Sequence, residues 1–370
     1  QNDRRPALAL ATAGVCAVLP IAVCHCGADE GRGGDAKPAA GKPKVLTSAL
    51  AGRWYPADAA ALRRRLQQYL AAAPERAPGH VRALVLPHAG YRFSGATAAH
   101  GVKLVQGRSY KRVIVLGPTH RVRLRNAVSV PDATHYETPL GRVPLDVAAM
   151  QQLRQQAICR SLPAAHANEH SVQIEVPLLQ VALRDFRLLP VVIGQLDGEA
   201  AAAVARALAP LVDAQTLVVV SSDFTHYGPD YDYVPFRDNV PTALKKLDLG
   251  AVKHMRAGDR AGFMKYVQET GATICGRSAI AVLLALVPEG ATFELLHYTT
   301  SGAVTGDHTN SVSYVAGAFS WPAAAAPAQD DTARIEAQQG ALLKLARDSI
   351  AYALKHDRPP PEPAPHFRRE

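Results

Sequence analysis

Cysteine is scarce in this chain of 370 residues, and most of it lies near one end. Three of the five cysteines fall within the first 26 residues, which leaves Cys159 and Cys275 for the remainder. Small proteins stabilised by disulfides carry many closely spaced cysteines. Two isolated cysteines exclude such a framework. The fold therefore depends on a hydrophobic core, for which a hydrophobic content of 48% is sufficient.

Dense clusters of Lys and Arg are also missing from the central part of the chain, although the formal net charge is +9. The arginine triplet at 63–65 lies among leucines at helical spacing, and the arginines between 121 and 125 alternate with other residues. Both patterns are typical of solvated faces. Nucleic-acid-binding domains concentrate basic residues on one surface. We therefore expect no nucleic-acid partner.

No internal repeat is visible, and the composition divides the chain into four segments. Residues 1–26 place Arg4 and Arg5 before an apolar run, the order found in a signal peptide or membrane anchor. A misassigned translation start is the alternative, which would make the protein cytoplasmic rather than exported or anchored. Residues 27–44 have the composition of a flexible linker. A folded domain at 45–321 and a C-terminal segment at 322–370 follow.

The folded segment alternates between short apolar runs and helical patterns. Strands and helices in alternation favour an α/β fold, here a single domain whose mostly parallel or mixed central sheet is flanked by helices. Runs of Val, Ile and Leu without polar alternation indicate strands buried on both faces. The predicted strands are 81–86, 112–116, 188–193, 216–220, 292–296 and 311–319, and the predicted helices are 57–72, 199–211 and 278–286.

Polar residues follow three of these strands. His88 comes after the first strand, His120 after the second, and Asp223 and His226 after the run at 216–220. Ligands of open α/β sheets bind in the crevice beyond the carboxyl ends of the strands. Imidazole is a ligand for zinc, copper, iron and nickel. Asp223 and His226 would share a face on a helical first turn, where each could be a ligand, a general base or a supporting group.

Two further stretches carry reactive residues. Cys275 precedes the predicted helix at 278–286, where the helix N-terminus and Arg277 would stabilise a thiolate. It is therefore a candidate ligand or nucleophile, with a buried apolar cysteine as the alternative. Asn168 is the expected N-cap of a helix that starts with Glu169 and His170. That stretch lacks the spacing of a zincin-type metal site, so helix capping explains it most simply.

Several motifs together resemble the Memo family, known in bacteria as AmmeMemoRadiSam system protein B. The resemblance covers about 45–321 and rests on the whole set in its order along the chain. The motifs are AGRWYP at 51–56, PHAGY at 87–91, FSG at 93–95, GPTH at 117–120, YETPLG at 136–141, EHS at 169–171, SSDFTHYG at 221–228 and CGR at 275–277.

This resemblance implies a fold similar to class III extradiol dioxygenases, which hold non-haem iron. It implies that His88, His120 and Cys275 are metal ligands. It also implies that Asp223 and His226 line the same pocket, and these two are the candidate catalytic residues. Iron is the expected metal, with zinc or copper as alternatives. The dioxygenases use a carboxylate where this family has cysteine, so oxygenase activity does not transfer directly.

The resemblance also implies partners, namely a radical SAM protein and an AmmeCR-like protein of the same system. Residues 322–370 resemble a linker followed by the opening helix of that AmmeCR-like domain. Three functions stay open at this point. The chain is a metal-dependent redox or oxygenase-like protein, a non-catalytic module that binds a ligand or partner, or a metal-dependent hydrolase with Asp223 or His226 as general base.

Overall fold

The computed structural model describes residues 43–76 and 79–322. The predicted leader at 1–26, nearly all of the linker at 27–44 and the C-terminal helix expected within 322–370 lie outside these residues. In the described part, every helix is too short or too polar to span a lipid bilayer.

The described ranges contain twelve strands and eleven α-helices. The strands are β1 Val45–Thr47, β2 Val81–Leu86, β3 Arg112–Pro118, β4 Val128–Ser129, β5 His135–Thr138, β6 Gly141–Pro144, β7 Cys159–Arg160, β8 Arg187–Ile193, β9 Thr216–Ser221, β10 His226–Tyr227, β11 Thr292–Thr300 and β12 Ser311–Ser320. The helices are α1 Ala59–Ala72, α2 Tyr91–Lys103, α3 Val147–Arg154, α4 Ala164–Ala167, α5 His170–Gln173, α6 Glu175–Ala182, α7 Gly198–Leu208, α8 Val240–Arg256, α9 Arg260–Thr270, α10 Arg277–Leu286 and α11 Ser301–Thr305.

A mixed sheet forms the centre of the fold, with the strand order β10-β12-β2-β9-β3-β8-β4-β7 and β11 beside β12. Its middle strands β2, β9, β3 and β8 are parallel neighbours, and Val220 of β9 lies between Val85 and Leu116. Pairing becomes antiparallel where β12 meets β2 and where β4 meets β8. The predicted single α/β domain with a mixed sheet flanked by helices is confirmed.

Burial explains why these segments became strands and helices. All residues of β2 and β9 are buried, as expected for uninterrupted apolar strands covered on both faces. Helix α1 buries Leu62, Leu66 and Leu70 on one face, and the Asp58 side chain accepts a hydrogen bond from the Ala61 N–H at its start. Helix α10 is apolar almost all round and packs against β3 and β9.

The parallel strands bring the candidate site residues to one edge of the sheet. His88, His120 and Asp223 each lie two residues beyond the last residue of β2, β3 and β9 respectively. Because β9 lies between β2 and β3 in the sheet, Asp223 starts from the strand between those that carry the two histidines. The topology therefore groups three side chains that are far apart in sequence.

The structure differs at two places from what the local sequence suggested. The cap of α5 is Glu169, whose side chain accepts from the Ser171 N–H, whereas Asn168 ends the preceding helix. The segment from Asp223 to His226 is extended rather than helical. Phe224 N–H donates to the Ser313 carbonyl, and the Thr225 carbonyl accepts from Ser313 N–H, so pairing with β12 replaces a helical turn.

Candidate metal centre

Three predicted ligands converge at the carboxyl edge of the sheet. One ligand atom each from His88, His120 and Cys275 lies within 4.8 Å of the other two. The Nε2 atom of His88 is 3.1 Å from the Cys275 sulfur. The two imidazole rings have their centroids 5.2 Å apart and stand nearly perpendicular, at 87°. Two imidazole nitrogens and one sulfur therefore surround a single point.

His88 is fixed from two directions in a fully buried position. Its backbone N–H donates to Asp223 Oδ1 at 2.7 Å, and its Nδ1 lies 2.9 Å from the hydroxyl of Ser221. Burial lowers the pKa of His88 well below its ordinary value, and the nearby His170 and His120 lower it further. The ring is therefore neutral, which is the form that binds metals.

His120 is partly exposed and is oriented by Glu169. The Glu169 carboxylate accepts from His120 Nδ1 at 2.8 Å and from the His120 backbone N–H at 2.5 Å. Burial opposes ionisation of Glu169, but the hydrogen bonds that its carboxylate accepts from His120 outweigh burial and hold the pKa of Glu169 below the ordinary value. A carboxylate behind the outer nitrogen fixes the tautomer of a metal-binding histidine. His120 therefore presents Nε2 to the centre.

Cys275 reaches the centre from the turn before α10, where Gly276 is the N-cap residue. A Cβ atom on Gly276 would lie 2.4 Å from the Ser222 Cβ, so only glycine allows this close approach. Burial raises the pKa of the Cys275 thiol well above its ordinary value, and Asp223 raises it further. The expected stabilisation of a thiolate by the helix end and Arg277 is thus wrong for the metal-free protein, because Arg277 is exposed and burial of the thiol dominates its pKa.

Asp223 and His226 both line a cavity of about 590 Å³ that also reaches His88 and His120. Burial raises the pKa of Asp223 to about 7, against the hydrogen bonds that it accepts from the backbone of His88 and Ala89. His226 Nδ1 donates to the Thr273 carbonyl at 3.1 Å, which leaves the lone pair on Nε2. Neither residue belongs to the group of converging ligand atoms among the described residues.

His170 is a site residue that the sequence reasoning assigned only to a helix start. Its ring centroid lies 4.2 Å from that of His120 and 5.2 Å from that of His88. Its Nδ1 is buried, makes no hydrogen bond and lies 3.5 Å from Glu169 Oε1. The EHS motif was the available signal in the sequence. Only the fold shows that its Glu169 and His170 lie beside the candidate metal ligands.

The walls of the cavity combine aromatic and basic residues. Trp54, Phe93, Tyr231 and Tyr314 line it together with two exposed arginines, Arg53 and Arg92. A second cavity of about 290 Å³ is lined by His120, Cys275 and Arg277. Apolar walls with a few polar groups at one end are typical of small-molecule sites.

Comparison with known proteins identifies the family. A family model described as Memo-like protein matches residues 47–318. The chain belongs to the Memo family. The matched region contains every member of the converging His–His–Cys group. The motif-based resemblance is therefore confirmed over most of the chain.

Relatives from distant organisms align over nearly the same share of the chain. A MEMO1 family protein of Methanopyrus kandleri is 34% identical over 73% of this chain and 97% of its own length. Protein MEMO1 of Danio rerio is 32% identical over 73% of this chain and 95% of its own. The Caenorhabditis elegans memo-1 homolog is 32% identical over 72% and 80% respectively. A solved structure of an uncharacterized protein from Escherichia coli K12 aligns with a TM-score of 0.43 at 15% identity, covering 64% of this chain and 99% of that one.

Proposed function

We propose that this Memo-family protein binds one non-haem metal ion through His88, His120 and Cys275 and serves a redox role. The observation that carries the proposal is the convergence of three metal-binding atoms, within 4.8 Å of one another, from three separate parts of the chain. Iron is the expected metal. Zinc and copper are also compatible with nitrogen and sulfur ligands.

The donor groups fit such an ion. His88 is neutral, and hydrogen bonding fixes the outer nitrogen of each histidine, so both Nε2 lone pairs are available. Three protein ligands leave coordination positions open for an exogenous ligand, as in catalytic rather than purely structural sites. A bound iron ion would supply one-electron chemistry at that open position.

The residues beside the centre can hold protons and orient a ligand. Asp223, with a pKa of about 7, exchanges a proton near neutral pH. The ring of His226 is held by the Thr273 carbonyl and packs edge-on against Tyr231. We assign these two residues to substrate or ligand handling rather than to metal coordination.

Non-catalytic binding is the second candidate function. The cavity of about 590 Å³ with aromatic walls is large enough to hold a small-molecule ligand, and such binding requires no reaction. A metal-dependent hydrolase is the third candidate, with Asp223 or His226 as the general base. Consumption of dioxygen by iron-loaded protein would separate a redox role from simple binding.

Metal analysis of protein purified without oxygen tests the metal assignment. We expect about one metal ion per chain in the parent protein and a loss of most of it in Cys275→Ser. Cys159→Ser is the matched control, because Cys159 is buried outside the converging group. Equal metal content in the parent and in Cys275→Ser would contradict the site.

The partners implied by the family resemblance are part of the same proposal. A radical SAM protein and an AmmeCR-like protein of the same organism would bind this chain if the three act in one system. Co-purification of the three proteins from one expression strain tests this. Separate elution of all three on size-exclusion chromatography would contradict the association.

A further inference from the structure

The hydroxyl of Ser221 has three close neighbours inside the core. Its Oγ lies 2.6 Å from the Ser171 carbonyl oxygen, 2.9 Å from Glu175 Oε1 and 2.9 Å from His88 Nδ1. Ser221 is fully buried and Glu175 nearly so. The cluster is thus closed to bulk water, so its hydrogen-bond donors and acceptors must be paired with one another.

Counting hydrogens fixes the direction of each bond. A serine hydroxyl has one hydrogen to donate and two lone pairs to accept. The Ser171 carbonyl can only accept, so at 2.6 Å it takes the Ser221 hydrogen. Both remaining neighbours must then donate to Ser221 Oγ. For His88 this requires a proton on Nδ1, and for Glu175 it requires a protonated carboxyl group.

The surroundings of Glu175 agree with a neutral carboxyl group. In the described part of the chain no Lys, Arg or His forms an ion pair with it. Burial raises the pKa of Glu175 well above its ordinary value, and the nearby Asp223 raises it further. Ionising an unpaired buried carboxyl group is costly, so the proton stays.

We propose that Glu175 is a neutral carboxylic acid and a positioning residue that acts through Ser221 to hold His88 in the Nδ1–H tautomer. The lone pair of His88 Nε2 then faces Cys275, 3.1 Å away. This inference rests on the proposed function only in treating His88 as a metal ligand.

The two histidines of the centre consequently have unlike support. An ionised carboxylate, Glu169, stands behind His120, whereas a hydroxyl and a neutral acid stand behind His88. A carboxylate partner makes an imidazole a more strongly donating ligand. His88 is therefore the more weakly donating metal ligand of the two. The groups behind it, Ser221 and Glu175, add no negative charge to the centre.

Spectroscopy of the metal-free full chain tests the proton positions directly. Infrared difference spectra between the parent and Glu175→Gln, at pH 7, should contain the carbonyl band of one protonated carboxyl group. Long-range ¹H–¹⁵N spectra should show His88 as the Nδ1–H tautomer in the parent and in Glu175→Gln, whose amide can also donate to Ser221. In Ser221→Ala the His88 signals should change to a mixture of tautomers.

Titration with Co²⁺ supplies the second readout. We expect Glu175→Gln to bind Co²⁺ within about twofold of the parent, and Ser221→Ala to bind it roughly 10–100-fold more weakly. Ser129→Ala is the matched control, since Ser129 is a buried serine bonded to His166 away from the centre. It should bind Co²⁺ like the parent.

An ionised Glu175 carboxylate, or a proton on Nε2 of His88, in the parent protein would overturn the inference even if no variant folded. Failure of the parent to bind Co²⁺, with the expected infrared and ¹⁵N signals present, would instead count against the proposed function and leave the proton assignment in place.

Discussion

The Nε2 atom of His88 lies 3.1 Å from the sulfur of Cys275, although His88 follows strand β2, Cys275 follows helix α9 and the two residues are 187 positions apart. Since Nδ1 of His88 is held by Ser221, its Nε2 is an acceptor for the single proton of the Cys275 thiol in the metal-free protein, and the Asp223 carbonyl oxygen, 3.3 Å from the sulfur, is a second acceptor. A metal ion would replace that single proton and be bound by both atoms. The pair is thus arranged for coordination before any ion binds.

Substitution of His88 separates metal binding from folding. We expect His88→Ala to lose most bound metal while the domain stays folded, because the core is formed by the apolar strands rather than by the ligands. Metal content and a thermal melt on the same samples check this. His100→Ala, at a histidine on α2 outside the centre, should keep the metal. Unfolding of metal-free His88→Ala would mean that the ion is structural.

Loss of the Glu169 carboxylate should weaken the site without removing a ligand. Glu169→Gln replaces one acceptor oxygen by a donor that faces the N–H groups of His120. We expect metal affinity to fall roughly 10–100-fold. Competition with a chelator of known affinity measures it. Glu199→Gln, in the first turn of α7, should have no effect. An unchanged affinity in Glu169→Gln would show that His120 is oriented by other contacts.

Variants at Asp223 and His226 test the division between metal ligands and ligand-handling residues. We expect Asp223→Asn and His226→Gln to retain metal within about twofold of the parent, because the proposed site takes its three protein ligands from other side chains. Metal analysis after purification without oxygen is the measurement. A metal-free Asp223→Asn protein that is still folded would place Asp223 among the ligands.

Gly276 is required by close packing rather than by an unusual backbone conformation. An added Cβ would meet Ser222 Cβ at 2.4 Å and the Ser221 carbonyl oxygen at 2.9 Å. We expect Gly276→Ala to cost about 1–3 kcal/mol of unfolding free energy and to displace Cys275 from the centre. Denaturant unfolding and metal content check both effects. In Gly198→Ala the new methyl group meets no atom within 4 Å, so stability should change little.

The stability of the domain should depend on His166 in mildly acidic solution. Burial lowers the pKa of His166 from its ordinary 6.5 to about 4, against the attraction of Glu169. The unfolded chain therefore binds the proton more readily, so stability is complete above pH 6.5 and is lost as the pH falls towards 4. This group should lower the free energy of unfolding by about 2 kcal/mol between pH 7 and pH 5.

Urea unfolding of the parent and of His166→Gln at the two pH values isolates this contribution. Other buried histidines titrate in both proteins, so only the difference between their pH dependences belongs to His166. Parallel pH profiles for the two proteins would contradict the assignment.

Local sequence was enough to predict the four central strands β2, β3, β8 and β9, the late strands β11 and β12, and the chemically active strand ends, but not the six shorter strands. Apolar runs such as those in β2 and β9 are buried on both faces wherever they pair, so composition alone identifies them. Placement of His88, His120 and Asp223 after such runs predicts their meeting at one edge, because carboxyl ends of parallel strands share an edge. The family motifs then indicated Cys275.

Only the tertiary structure decided what supports those residues. Sequence did not show that Glu169 would orient His120, that Ser221 would connect Glu175 to His88, or that β12 would hold the segment after β9 extended. It also predicted the wrong cap at Asn168 and a stabilised thiolate at Cys275. Hydrogen-bond partners and burial depend on groups from distant parts of the chain, and burial sets whether a carboxyl or thiol keeps its proton. Those groups come together only when the sheet forms.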